Sequence, residues 1–374
     1  MADELIPTLV WGTGNIGRAA IRAVAARPGL ALSGVLVHDA AKVGRDAGDL
    51  AGLGRPLGVA ATDDVEAALH DARAVVYAAS GDVRPDEALD DVVRAVRAGA
   101  IVVTPALYAF YDPHGAPAEQ RELVLAAVAE GGGSLFASGV DPGWANDVLP
   151  LMLTGLGAQI SAVRCQEIFD YSTYDQEDVV RYLVGMGQPM DYEPPMTAPG
   201  VPTMVWGGQI RLMARGLGID ASAVTITEHV ERAALAVDVE TGSMGEFAAG
   251  TQGGVRFEVR GEIGGVPRIV IEHVTRIGGA GALGGAAMEW PQAPDGVGAH
   301  RVVIEGRPRI EVTVEAEDEG GNRSAGGNAT AVGRLVGAVE WLVGREAGVY
   351  DALDVPAGAG TANAVAWATG GDAS

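Results

Sequence analysis

Apolar and polar residues come in short alternating blocks over the first 140 positions. Residues 6–11, Ile-Pro-Thr-Leu-Val-Trp, form an apolar run that stops at Gly12. A helical spacing follows over 15–27, with Ile16, Ala20, Ile21 and Val24 on one face, and Pro28-Gly29 ends it. A second strand is predicted over 30–37, closing on His38-Asp39. The rhythm repeats as strand 74–79, helix from about 85 to 98, strand 101–104, helix 117–130 and strand 134–138. Strands that alternate with helices predict parallel βαβ units, with helices on both faces of one sheet.

Near residue 147 the rhythm changes. A strand is predicted over 161–170 and a helix over 175–187, followed by a loop over 188–202 that holds five prolines. Another helix covers 203–216. From 223 to 317 the runs VTITEHV, VRFEVRGEI, RIVIEHVTRI, HRVVIEG and RIEVTVEAE, separated by turn residues, predict a mostly antiparallel or mixed sheet. After the polar turn EDEGGNRSAGGN a long apolar helix is predicted over 328–345, and the Gly/Ala-rich tail from about 356 carries little pattern. The expected fold class is α/β: an N-terminal Rossmann domain over 1–147, an α+β substrate and dimerisation domain with a mixed sheet over 148–325, and a C-terminal helix and tail, 326–374, returning to the first domain.

Composition narrows the function. A chain of 374 residues suits two domains, and 48% apolar with 20% charged residues is globular. The net charge of -23 disfavours nucleic acid and anionic membranes as partners. No run approaches the roughly 18 apolar residues of a spanning helix, and MADELIPTLV lacks the basic start of a secretory signal, which predicts a cytoplasmic protein. Cys165 is the only cysteine, so no disulfide framework or cysteine-based metal site is expected. Histidines at 38, 70, 114, 229, 273 and 300 show no ligand spacing, and no metal is predicted.

The strongest motif is Gly12-Thr13-Gly14-Asn15-Ile16-Gly17, a G-x-G-x-x-G run between a strand and a helix. The first glycine permits the turn, the second lets a pyrophosphate approach, and the third lets helix and strand pack closely. Asp39 lies about twenty residues further on, where a carboxylate grips the adenosine ribose. The predicted cofactor is therefore NAD or NADP. Asp39 argues for NAD, whereas Lys42 and Arg45 could hold a 2'-phosphate; the balance favours NAD.

Ligands of open α/β sheets bind beyond the carboxyl ends of the strands. Those ends place His38, Ala79, Ser80, Thr104 and Pro105 along the dinucleotide. The segments Thr104–Tyr111 and Gly139–Trp144 should face the nicotinamide. Hydride transfer to C=O or C=N needs a proton donor or carboxylate nearby, and the candidates are Tyr108, Tyr111, His114 and Asp141. Each has a plainer reading as a packing or turn residue. The second domain must close over the cofactor, with Trp144, Tyr171, Tyr174, Met204 and Trp206 as possible pocket residues or as core.

The segments WGTGNIGR (11–18), VHDAAKVGRDAGDLAG (37–52) and GVDPGWANDVLP (139–150) resemble the dihydrodipicolinate-reductase-like superfamily. Within it, the branch of 2,4-diaminopentanoate dehydrogenase and the native amine dehydrogenases is the most similar. Its G-V-N-P-G-F-x-x-D-x-L-P run is matched here with Asp141 for Asn and Trp144 for Phe. Residues 328–356 resemble its C-terminal pattern. The resemblance implies a homodimer that pairs through the second domain's sheet, with the GVDPGW loop on the hinge side. Two departures stand out. The His-His pair and catalytic Lys of true dihydrodipicolinate reductases have no counterpart, which excludes lysine biosynthesis. The Glu that the amine-dehydrogenase branch carries after its fifth strand falls at Ala106, in Thr104-Pro105-Ala106-Leu107.

The expected activity is hydride transfer between nicotinamide and a small, fairly apolar ketone, imine or amine, with Tyr108 or Tyr111 as proton donor. Reduction of an activated C=C bond is a variant of the same reading. The alternative is an NAD(P)-binding sensor or scaffold whose catalytic centre has decayed.

Overall fold

The computed structural model describes residues 5–81, 84–174 and 176–358. It divides into two compact units: the residues up to Gly139 together with those from Asn328 on, and Val140–Gly327.

The first unit is the predicted parallel sheet. Its elements run β1 (Ile6–Trp11), α1 (Asn15–Ala26), β2 (Leu30–Leu36), α2 (Ala47–Ala51), β3 (Ala61–Thr62), α3 (Val65–His70), β4 (Ala74–Tyr77), α4 (Pro85–Arg97), β5 (Ile101–Thr104), α5 (Ala118–Gly131) and β6 (Ser134–Ala137). The strands lie in the order β6-β5-β4-β1-β2-β3, and a last short strand, Val349–Tyr350, pairs parallel outside β6. Helices cover both faces, so the central strands are apolar almost throughout; Leu9, Val10, Val75, Val76, Val102 and Val103 are all fully buried. Helix α1 buries Gly17, Ala20, Ile21 and Val24, one stripe at i, i+3, i+4 and i+7. Helix α4 starts on Pro85, with Asp86 and Glu87 in its first turn and Arg94 and Arg97 in its last, each charge complementing the helix dipole.

The second unit holds α6 (Val148–Thr154), β7 (Gln159–Asp170), α7 (Val201–Gly216), β8 (Thr225–Ala234), β9 (Val239–Thr241), β10 (Gly245–Phe247), β11 (Gln252–Ile263), β12 (Val266–Arg276), β13 (Gly298–Arg307) and β14 (Ile310–Val314). Six of these strands form one mixed sheet in the order β14-β13-β7-β12-β11-β8. Only the β7–β12 pair is parallel; the rest are antiparallel. The β11–β12 hairpin turns on Gly264-Gly265, both at positive φ (61° and 77°), the requirement of a tight two-residue turn. Helix α7 packs on β11, β12 and β8. Its N-terminus is held by Glu228 of β8, whose carboxylate accepts from the backbone N–H groups of Gly200 (3.0 Å) and Thr203 (2.6 Å).

Two predicted helices differ in extent. Over 175–187 the chain makes a single π-helical turn, Val179–Leu183, because Gly185 and Gly187 at positive φ and the prolines beyond end it. The final helix α8 (Arg323–Leu342) starts before the predicted 328, because Asn322 Oδ1 caps Ala325 N at 2.9 Å. From Asn328 this helix belongs to the first unit, where Val332, Leu335, Val336 and Val339 join the core; β15 (Val349–Tyr350) follows. Most of the tail predicted from about 356 lies outside the described residues.

Phe136 of β6 is fully buried, with the Arg334 guanidinium 5.1 Å from its ring centroid. Phe136→Ala is expected to lower the unfolding free energy by about 3–5 kcal/mol, read by urea denaturation, and Phe136→Leu by much less.

Candidate functional site

The glycine loop of the first unit has the shape that a pyrophosphate needs. Gly12 has φ 109°, and a Cβ there would lie 2.9 Å from Ala79 N. A Cβ on Gly17 would sit 2.0 Å from the Gly12 carbonyl oxygen, so β1 and α1 can approach only with hydrogen at that place. Gly14 is exposed, has nothing within 4 Å of its missing Cβ, and caps α1 without a side-chain acceptor. The first N–H groups of α1 are thus offered outward, and the cradle fits a dinucleotide phosphate. Lys42 Nζ donates to Thr13 Oγ1 at 3.2 Å, on the same loop. Asp39 is exposed at the end of β2, and its carboxylate accepts from Ala41 N at 2.9 Å. His38 and Ser80 are exposed, while Asn15, Ile16, Ala79 and Pro105 are half-buried.

Other predicted residues of this unit face inward. Thr104 is fully buried; its hydroxyl donates to the Tyr77 carbonyl (2.9 Å) and accepts from Ala106 N (3.0 Å), which ties β5 to β4. Tyr111 is 3% exposed and donates to the Pro105 carbonyl at 3.1 Å, within an apolar cluster. Tyr108 is half-buried against that cluster, and His114 lies exposed on a turn. Ala106 is 9% exposed, and its carbonyl occupies the space that a Cβ on Gly81 would need, at 2.2 Å.

In the second unit the sheet register assembles a row of ionisable residues that sequence spacing conceals. Glu167 of β7 pairs with His273 of β12 on one side and His300 of β13 on the other, and His273 pairs onward with Phe257 of β11. Paired residues share a face. Asp141 joins them from the loop before α6. Its Oδ1 accepts from Trp206 Nε1 of α7 at 2.7 Å and lies 3.0 Å from His273 Nε2; its Oδ2 accepts from Asn146 Nδ2 at 3.1 Å. Gly143, at φ 142°, lets the loop turn, and its carbonyl accepts from Asn146 N at 2.8 Å. His273 Nδ1 is 3.6 Å from Glu167 Oε1, and His300 Nε2 is 3.4 Å from Glu167 Oε2.

Aromatic rings enclose the row. Phe257 stacks on His273 at 4.6 Å with Trp206 edge-on at 4.4 Å, and Phe169 and Trp144 lie 5.2 and 5.7 Å from His300. Tyr171 and Tyr174 stack at 4.8 Å, and the Tyr171 hydroxyl reaches Glu167 Oε1 at 3.4 Å. Met204, by contrast, is 66% exposed. The Glu167 side chain keeps 14% exposure, whereas that of Asp141 keeps none, so Glu167 is the carboxylate open to a ligand. Polar atoms of Asp141, Glu167 and His300 lie within 4.8 Å of one another.

Charge pairing governs this row. Burial pushes the Glu167 carboxyl up, but the His273 and His300 rings outweigh it and hold the group well below the usual carboxylate range. Burial disfavours the His273 cation, yet Asp141 and Glu167 together push its pKa up to about 10. Burial also raises the Tyr171 hydroxyl, with the Glu167 charge adding to it.

The family model described as "Dihydrodipicolinate reductase, N-terminus" matches residues 6–83. An amine dehydrogenase of Streptomyces virginiae is 69% identical over 354 residues, which cover 94% of this chain and 96% of that protein. The chain belongs to the amine dehydrogenase family. As such it is an NAD(P)-dependent oxidoreductase, in line with the glycine cradle and the expected resemblance. A solved amine dehydrogenase from Mycobacterium smegmatis shares the fold with a TM-score of 0.74 at 19% identity, covering 95% of this chain and 97% of that one. A 4-hydroxy-tetrahydrodipicolinate reductase of Nostoc punctiforme is 45% identical over 62 residues, 16% of this chain and 22% of that protein. Among the described residues no helix is long and apolar enough to cross a membrane. In this amine dehydrogenase family member Glu167, His273 and His300 escaped the sequence reading. Their one local signal is a polar side chain at a strand position whose neighbours two residues away are mostly apolar, as with Ile271 and Thr275 around His273.

Two outcomes test these assignments. Gly17→Val should weaken NAD(P) binding by tenfold or more in calorimetry, since its side chain meets a backbone carbonyl. His273, with its pKa raised from 6.5, adds stability in full below pH 6.5 and loses it as pH climbs toward 10. The melting temperature should therefore fall across that window, and Asp141→Asn, at a cost of about 3–5 kcal/mol, should flatten the fall.

Proposed function

We propose that the protein interconverts a small, apolar primary amine with its ketone, and that Glu167 holds the reacting nitrogen. The balanced reaction takes an alkylammonium, NAD(P)+ and water to a ketone, ammonium, NAD(P)H and a proton. The observation that carries this reading is a carboxylate held ionised inside an aromatic enclosure, a setting that favours an ammonium group. When bound, the nicotinamide supplies the hydride acceptor or donor.

Glu167 receives the ammonium, orients it, and takes the proton that the nitrogen or the attacking water gives up. Tyr171, within reach of Glu167 Oε1, steadies that carboxylate. Asp141, tied by Trp206, Asn146 and His273, serves as the fixed end of the chain rather than as a contact to substrate. On β7 and its two neighbours β12 and β13 no arginine or lysine shares the face of Glu167, and this favours amines without a carboxylate of their own. Glu167 supplies the charge whose absence at Ala106 motivates the sensor reading. NAD is the preferred dinucleotide in this proposal, because Asp39 stands at the end of β2 and Lys42 is engaged with Thr13.

The test is turnover. Ammonia-dependent oxidation of NADH or NADPH with small ketones is expected, with NADH the better donor. Glu167→Gln should lower kcat/KM by about 10²-fold or more while dinucleotide binding persists. Tight dinucleotide binding without turnover of any ketone or amine would establish the sensor instead.

A further inference from the structure

If Glu167 holds the amine, the charge of the whole row decides which amines fit. Both nitrogens of His273 face carboxylate oxygens, Asp141 Oδ1 at 3.0 Å and Glu167 Oε1 at 3.6 Å, and its side chain is only 6% exposed. A neutral imidazole carries one N–H and one lone pair, so one nitrogen would aim its lone pair at an anion. The protonated ring suits both neighbours. From the other elements packed around it, Phe257 and Trp206 bring no ionisable group. Beyond Glu167 stand His300 and Tyr171, and Cys165 lies on the same face near Asp141 and Asp147. Burial opposes the charge on the ring, but the two flanking carboxylates prevail and push the pKa to about 10.

We propose that His273 is the positioning residue that sets the charge of the amine site: as a cation locked between Asp141 and Glu167 it cancels one of the two carboxylates, and the site matches a single ammonium. Monoamines are then taken in preference to diamines, because the single negative charge left in the row is met by the first ammonium and none of it is left for the second. This rests on the amine reading of Glu167.

The experiment compares kcat/KM for 2-aminopentane and 1,4-diaminopentane, each of which yields a ketone at its secondary carbon, in the native enzyme, His273→Gln and His273→Arg. The native enzyme should favour the monoamine. His273→Gln should shift the ratio toward the diamine on the order of tenfold, chiefly through KM, since one unit of negative charge is uncovered. His273→Arg should return it toward the native value. An unchanged ratio in His273→Gln, with turnover intact, overturns the role of His273 and leaves that of Glu167 standing. Absence of amine turnover in the native enzyme defeats the Glu167 reading itself. Should the variants not fold, carbon NMR of the native protein labelled at histidine Cε1 decides the matter. Among six histidines, one resonance should keep its imidazolium position at pH 8. If all six report neutral rings there, the proposal fails.

Discussion

Burying two carboxylates side by side is tolerable only when a cation is buried with them, and the second unit is organised around that constraint. Asp141 and Glu167 approach the same imidazole from opposite ends, and its cation offsets the cost of burying both in this apolar enclosure. Every strand of the local register serves the arrangement. β7 supplies the anion, its parallel neighbour β12 the cation, and its antiparallel neighbour β13 a second ring. The indole of Trp206 donates to the same Asp141 oxygen that faces His273, and the amide of Asn146 donates to the other.

The opposite face of the same sheet solves a similar problem with guanidinium groups. Glu258 and Glu272 are 2% and 1% exposed, yet each is met by arginines: Arg164 reaches both at 2.7 and 2.6 Å, and Arg256 reaches Glu272 at 2.7 Å. Gln166 adds a hydrogen bond to Glu272 at 2.8 Å. Since arginine stays charged at any working pH, that face is electrostatically fixed, whereas the histidine face can change its charge. The sheet therefore separates permanent pairing from chemistry by the two-residue period of its strands.

Much of the first unit was legible from sequence because its signals are local. The glycine motif, the strand before it and the helix after it lie within a few turns of one another, and the end of the first helix followed from Pro28-Gly29. The second unit was legible as a class of sheet but not as a site. Glu167, His273 and His300 are more than a hundred residues apart at the extremes and meet only through strand pairing, which no spacing rule anticipates. Asp141 reads as a turn or proton-transfer residue and Trp206 as pocket or core; their bond to each other depends on where α7 lies on the sheet. Tyr111 reads as a proton-donor candidate and Thr104 as a strand-end residue along the dinucleotide, but their hydroxyl groups donate to neighbouring backbone carbonyls.

The alternation that divides the two faces also constrains how the chain can vary. Gln166 and Glu167 are adjacent in β7, as are Glu272 and His273 in β12, and each pair splits between the faces. A one-residue slip of β12 against β7 would bring Glu272 to the histidine face beside Glu167 and carry His273 among the arginines. Both faces would then hold like charges in contact. Misregistered sheets are thus penalised by electrostatics as well as by packing, and length changes in this lineage should collect in the Gly264-Gly265 turn and the proline-rich stretch before α7, leaving β7 and β12 uninterrupted.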